Sequence, residues 1–214
     1  MKVFVVGANG QIGKHLVDLL HESREHRVRA MIRKEEQRKY YEKNGIESVV
    51  VSLTGSVEEI ANAAKGCDAI VFTAGSGGST GADQTLLIDL DGAVKTIEAA
   101  ENLGIKRFIM VSAFQANNRD NWNDAIKPYY VAKHYADRAL LQSDLLYTII
   151  RPGGLVNDPG TGKVTAAEGV ERGSISREDV ARTIVAALTE ENTYKRSFDL
   201  VAGDTAISDA LREI

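Results

Sequence analysis

Short runs of β-branched and aromatic residues alternate along the chain with longer stretches whose apolar positions recur three and four apart. Val3–Val6 is the first such run, and it is apolar throughout rather than alternating. That pattern predicts a strand covered on both faces. Ile12, Leu16, Leu19 and Leu20 then share one helical face, which places a helix over Ile12–His21. Further strands are expected at Val28–Ile32, Glu47–Leu53, Ala69–Thr73, Arg107–Val111, Leu146–Ile150 and Ser197–Val201. Helices are expected over Glu35–Lys43, from Ser56 to Lys65, over Gln84–Leu103, from Pro128 to Ser143 and from Ser176 to Leu188.

Local chemistry sets the expected ends of these elements. Ser56 followed by Glu59 has capping-box spacing, and Ser176 with Asp179 has a similar pattern. Asn44–Gly45 and Gly104 read as helix stops, and Pro128 suits a first helical turn. Gly75–Gly81 reads as a glycine and serine loop. Ala113–Lys127 reads as a long polar loop, the stretch up to Ile175 as another, and the tail after Val201 as short. Strands and helices alternating in this way imply βαβ units with right-handed crossovers. The expected fold is α/β: one doubly wound domain with a mostly parallel, seven-stranded sheet in the order 3-2-1-4-5-6-7.

Composition narrows the partners. The chain has 214 residues, 43% of them hydrophobic, with a formal net charge of −4. That suffices for a core, and nothing global attracts nucleic acid or an anionic membrane. Cys67 is the single cysteine, so no intrachain disulfide and no thiolate metal cluster can form. His15, His21, His26 and His134 lack metal-ligand spacing, so no metal site is expected. The first apolar run is too short for a signal peptide or a membrane span, and a cytoplasmic location is the expectation. The expected partner is a small-molecule substrate, and the oligomeric state is left open.

The strand–turn–helix at the start carries the first candidate chemistry. Gly7, Gly10 and Gly13 lie where the strand ends and the helix begins, with Asn9, Gln11 and Ile12 between them. Gly7 lets the chain turn, Gly10 lets backbone approach a pyrophosphate, and Gly13 lets helix and strand pack closely. The helix N-terminus offers unpaired N–H groups and a partial positive charge to that anion. Arg33 and Lys34 follow the second strand, with no acid until Glu35. An Arg there suits a ribose 2′-phosphate, so NADP is expected in preference to NAD.

A second constellation joins Ser112, at the end of the fifth strand, to Tyr129 and Lys133 on the next helix. Tyr129 and Lys133 are four residues apart, hence on one helical face. A phenol near its ordinary pKa is a poor base at neutral pH, and an adjacent ammonium stabilises its phenolate. Ser112 is placed to hold a carbonyl or hydroxyl oxygen while Tyr129 moves the proton. Trp122 and the Asn117–Asp124 stretch read equally as a lid over the substrate or as an ordinary surface loop, His134 as a surface or packing histidine, and Cys67 as an inert thiol.

The pattern Gly7-x-x-Gly10-x-x-Gly13, Ser112, Tyr129-x-x-x-Lys133 and Arg151-Pro152-Gly153 resembles the short-chain dehydrogenase/reductase superfamily in its extended or atypical branch. The resemblance covers essentially the whole chain and is closest to small epimerase/dehydratase-like, NAD(P)H-binding members. It implies a single Rossmann domain over residues 1–214, with a small substrate-side annex within 152–175. It also implies that Tyr129 is the acid/base, that Lys133 holds the nicotinamide ribose and lowers the tyrosine pKa, and that Ser112 orients the substrate. Thr73, Ala74 and Gly75 would lie along the cofactor, as would Pro152. Three departures stand out. Asp89 occupies a position where relatives commonly have Asn, and Ser52 one where they often have Asp. Only 63 residues follow Arg151, which argues against a bulky sugar-nucleotide substrate. The expected function is NADP(H)-dependent hydride transfer to or from a small carbonyl, alcohol or similar acceptor. The alternatives are a flavin- or biliverdin-type reductase that does not need Tyr129, and an NADP-sensing regulator without turnover.

Overall fold

The structure, a computed structural model, describes residues 1–214. In chain order the strands are β1 (Lys2–Val6), β2 (Arg27–Ile32), β3 (Glu47–Val50), β4 (Ala69–Phe72), β5 (Arg107–Val111), β6 (Leu146–Pro152), β7 (Gly154–Val156), β8 (Lys163–Ala167), β9 (Ser174–Ser176), β10 (Arg196–Ala202) and β11 (Thr205–Ala206). The helices are α1 (Gln11–Glu22), α2 (Glu35–Lys43), α3 (Val57–Ala64), α4 (Ala82–Gln84), α5 (Gly92–Leu103), α6 (Lys127–Leu141), α7 (Arg177–Ala187) and α8 (Ile207–Arg212). Between α4 and α5 the chain stays helical but widens into a π-helical stretch, Thr85–Asp91.

β1 lies inside a nine-stranded sheet of order β3-β2-β1-β4-β5-β6-β10-β8-β11. Its residues serve two cores. Val3 and Val5 join the layer beneath α1, α7 and α8, while Phe4 and Val6 join the layer beneath α3, α5 and α6. This explains the unbroken apolar run, since both pleat faces are covered. Each buried Val or Phe contributes ~1.5–3 kcal/mol relative to exposure. The first seven strands of the order, from β3 to β10, are all parallel to their neighbours and follow the expected 3-2-1-4-5-6-7 sequence.

The structure corrects the expected seven-stranded limit. β8 and β11 extend the sheet antiparallel beyond β10, and β7 pairs with β9 in a small sheet of its own. These four strands fall in stretches expected to be loop or tail. They are two to five residues long, too short for a period-two pattern to stand out. The tail after β11 forms α8, which buries Ile207, Ala210 and Leu211. The expected helix stops are present: Gly104 sits in the left-handed region at φ 69°, closing α5. Ser56 and Glu59 complete a capping box at α3.

Candidate active site

The strand order reverses on either side of β1, because β2 lies to one side of it and β4 to the other. Loops leaving the carboxyl ends of these strands diverge there and open a crevice. A cleft of about 1170 Å³ runs along these ends, from Arg33 and Ser52 at one extremity to Tyr129, Pro152 and Leu155 at the other.

The glycine turn forms the floor of the cleft. Gly7 has φ +87°, and a Cβ there would come within 2.6 Å of the Ala74 nitrogen. The Gly10 N–H donates to the Gly7 carbonyl at 2.9 Å, closing the turn. Gly10 is the N-cap of α1 and no side chain caps it, so the first helical N–H groups are left for an anion. Asn9, Gly10, Gln11 and Ile12 line the cleft. Gly13 does not. A Cβ there would collide with the Gly7 carbonyl, so its place is in the close packing of α1 on the turn. Thr73 Oγ1 donates to the Val6 carbonyl at 3.0 Å, tying the β4 loop to the turn, and Ala74 and Gly75 continue along the cleft.

At the β2–β3 end, the Arg33 and Lys34 N–H groups both donate to Gln37 Oε1, at 2.9 and 3.0 Å. The Arg33 side chain is exposed and in no ion pair, so its guanidinium is free to meet an anion in the cleft. Ser52 and Thr54 supply hydroxyls beside it, 2.7 Å apart.

The opposite end is made of side chains from four separate segments. The end of β5 delivers Ser112, whose buried hydroxyl faces the Asp137 carboxyl and helps to hold its charge. α6 delivers Tyr129 and Lys133 on one face, with the Lys133 Nζ 5.8 Å from the Tyr129 ring centroid. Lys133 is buried, and its ammonium donates to the Val111 carbonyl at 3.3 Å and the Ala74 carbonyl at 3.4 Å. The π-helical stretch delivers Asp89, fully buried, with Oδ1 3.3 Å from Lys133 Nζ. One turn beyond Lys133, Asp137 accepts from Arg151 Nε at 2.9 Å.

Charge in this pocket departs from the simple expectation that Lys133 lowers the Tyr129 pKa. Burial dominates and raises the phenol above its ordinary value, with Lys133 only partly opposing it and Asp89 adding to the rise. Burial also works against the Lys133 ammonium, but Tyr129 and Asp89 outweigh it and hold that group above its usual value. Asp137 is pushed up by burial, with Arg151 opposing.

The long polar loop gives a second correction. Trp122 is no lid: it stacks on Tyr130, centroids 5.9 Å apart, and donates from Nε1 to the Ala116 carbonyl at 3.2 Å. His134 packs at its edge and contacts the Ala116 carbonyl through Nδ1 at 2.9 Å. The aromatic cluster clamps the loop to α6, and only its end, Ala125 and Ile126, reaches the cleft. Ile126, Leu155 and Arg177 are cleft residues that sequence reasoning missed: Ile126 and Leu155 lie in stretches expected to be loop, and Arg177 opens an expected helix whose start carried no signal of a site. Asp137 was also missed, although its spacing of four from Lys133 places it on the same helical face.

Comparison with known proteins accords with this geometry. The family model described as NAD(P)H-binding matches residues 7–191. YhfK of Bacillus subtilis, named an uncharacterized sugar epimerase, is 65% identical over 214 residues and is covered, like this chain, at 100%. A protein from Bacillus halodurans, provisionally named an NAD-dependent epimerase/dehydratase, is 42% identical with a TM-score of 0.92 over 100% of both chains. The oxidoreductase YlbE from Lactococcus lactis is 36% identical with a TM-score of 0.91, over 100% of this chain and 96% of its own. With a glycine turn that leaves a helix N-terminus free at a switch point of the sheet, and a family match that spans both ends of the cleft, the chain belongs to the NAD(P)H-binding family.

Proposed function

We propose that the protein is an NADP(H)-dependent oxidoreductase acting on a small carbonyl compound or its alcohol. The observation that carries this reading is the convergence of Ser112, Tyr129 and Lys133 at one end of the cleft whose other end holds the glycine turn. A bound nicotinamide supplies the hydride, and the protein supplies the rest.

In reduction, the substrate carbon gains the hydride while its oxygen gains a proton from the Tyr129 phenol. Ser112 Oγ–H donates to that oxygen and steadies the developing charge. Lys133 holds its ammonium beside the Tyr129 ring, and solvent returns a proton to the phenolate left behind. Ile126, Pro152 and Leu155 present apolar surface at this end and limit water. At the far end the uncapped start of α1 suits the pyrophosphate, and Gly7 leaves room for its approach. Arg33 is suited to a 2′-phosphate, which favours NADP over NAD.

The test follows NADPH oxidation with a panel of small carbonyls, quinones and flavins, for the unaltered protein and for Tyr129→Phe and Ser112→Ala. Turnover of a carbonyl that is lost in Tyr129→Phe supports the proposal. Flavin or quinone reduction that survives Tyr129→Phe replaces it with a reductase that needs no tyrosine acid. Tight NADPH binding with no turnover on any acceptor replaces it with a nucleotide sensor.

A further inference from the structure

Asp89 occupies an unusual place for a carboxylate. It is completely buried, on the inner side of the π-helical stretch, with Oδ1 3.3 Å from the Lys133 ammonium. Its other oxygen accepts from the Ser76 N–H at 2.9 Å, which fastens the loop after β4 to the same group. That loop passes so close that a Cβ on Gly75 would stand 3.1 Å from Asp89 Oδ1. Thr85 and Asp89, four residues apart, share the buried side of this stretch, and both are enclosed.

The surroundings of Tyr129 and Lys133 contain few other charges. α6 contributes Asp137 and the neutral Tyr130 ring, and Asp137 is held by Arg151 from β6. β4 contributes the Phe72 ring and the Ala74 carbonyl, and β5 the Val111 carbonyl and Ser112. The Lys133 ammonium therefore has one direct counter-ion, Asp89. A bare ammonium would favour the Tyr129 phenolate, but a carboxylate 3.3 Å from it opposes that field, the more so because Lys133 and Asp89 are both buried.

We propose that Asp89 is a positioning residue whose carboxylate fixes and neutralises the Lys133 ammonium, so that the site presents a substrate with a phenol proton to take rather than a phenolate base. The raised Tyr129 pKa agrees with this geometry. The consequence is directional. A site whose tyrosine stays protonated is set for the reducing direction, in which the substrate oxygen must receive a proton. The inference rests on the reading that Tyr129 is the proton donor.

The test is a titration of tyrosinate absorbance in the ultraviolet, which reads ionisation and not turnover. Subtracting the curve of Tyr129→Phe isolates the Tyr129 step. In the unaltered protein that step is expected above pH 10, the ordinary phenol value being ~10. In Asp89→Asn it is expected to fall by about one pH unit or more, the size expected of an uncompensated neighbouring charge. In Asp89→Asn combined with Lys133→Met the fall should vanish, because Asp89 acts only through Lys133. A Tyr129 step below pH 10 in the unaltered protein overturns the proposal, as does a step unmoved in a folded Asp89→Asn. Where circular dichroism shows that Asp89→Asn alone does not fold, the double variant decides: a step unmoved from the unaltered protein supports the proposal, and a step well above it overturns it, because Lys133 was then lowering the phenol uncancelled. Loss of the proposal in this titration leaves the turnover test of Tyr129→Phe standing, and failure of that turnover test leaves the titration readable.

Discussion

The two ends of the cleft are built by different means. At the glycine turn, backbone makes the site: a left-handed Gly7, a closed turn through Gly10 and an uncapped helix start, all within seven consecutive residues. At the reactive end, side chains make it. Ser112, Asp89, Tyr129 and Lys133 come from three elements, and apart from the Tyr129–Lys133 pair on α6 none of the packing between them is local in sequence. The first end offers uncapped helix N–H groups whatever its neighbours are. The second has no chemistry until the fold sets its charges against each other. Asp89 illustrates the point, because its effect on Tyr129 passes through Lys133.

If this contrast holds, damage at the two ends should separate binding from chemistry. The largest effect is expected in Tyr129→Phe, with NADPH-dependent carbonyl turnover falling ~10²–10⁴-fold, the usual worth of a positioned general acid. NADPH affinity, measured by fluorescence titration, should stay within about twofold, since phosphate recognition lies elsewhere. A comparable loss of affinity would erase the distinction between the ends. Because the Tyr129 pKa is raised, the proton-donating form persists across the neutral range. Reductive turnover should therefore be flat from about pH 6 to 9 and decline only in the alkaline range, where the phenol ionises.

Next in size is Gly7→Ala. A Cβ at Gly7 meets backbone at Ala74, and φ +87° disfavours any side chain. NADPH affinity should fall about tenfold or more, equivalent to ~1.4 kcal/mol, while any residual complex turns over at a near-normal rate. A large fall in saturated turnover instead would show that the turn also shapes the reactive end.

Arg33→Asp is expected to weaken NADPH binding about tenfold, in keeping with ~1.5–3 kcal/mol for a charge-assisted contact. NADH affinity should be unchanged or improved, because the introduced carboxylate suits a ribose 2′-OH. Equal losses for both nucleotides would remove the 2′-phosphate assignment.

The smallest effect lies outside the cleft and serves as a control. Tyr41 is buried, its hydroxyl has no partner, and burial pushes its phenol up to about 12. Its folded pKa exceeds the unfolded value near 10, so its contribution to stability is complete below about pH 10 and is lost as pH rises towards 12. In urea unfolding of the unaltered protein, the part of the alkaline loss that belongs to Tyr41 should be at most ~3 kcal/mol over that window, two pKa units at about 1.4 kcal/mol each. Tyr41→Phe should lack that portion of the loss and match the unaltered protein at neutral pH, with cleft functions intact.

The contrast between the ends also explains what could be read before any coordinates. β1, the glycine turn and the start of α1 are contiguous, so strand pattern, turn residues and helix period converge in one short stretch. The parallel order from β3 to β10 followed from βαβ alternation, because right-handed crossovers leave few other arrangements. β7, β8, β9 and β11 were illegible for the opposite reason. They exist by pairing with distant partners, as β8 does with β10 and β11, and their own residues carry almost no periodic signal. Of the two readings of the Trp122 stretch, the lid failed because the partners that hold Trp122, Tyr130 and His134, lie on the following helix and residue order does not show that packing.

By itself, then, the sequence determined the parallel α/β framework, the anion cradle at Gly7–Gly13 and the shared helical face of Tyr129 and Lys133. Each of these rests on interactions within a turn or two of the chain, or on a pattern that admits one topology. Tertiary structure alone decided the antiparallel extension of the sheet, the clamping of the Trp122 loop and the electrostatic balance at Tyr129. That balance depends on burial and on Asp89 approaching Lys133 across 44 positions of chain. Desolvation and Coulomb interaction are functions of distance in space, and residue order does not record them.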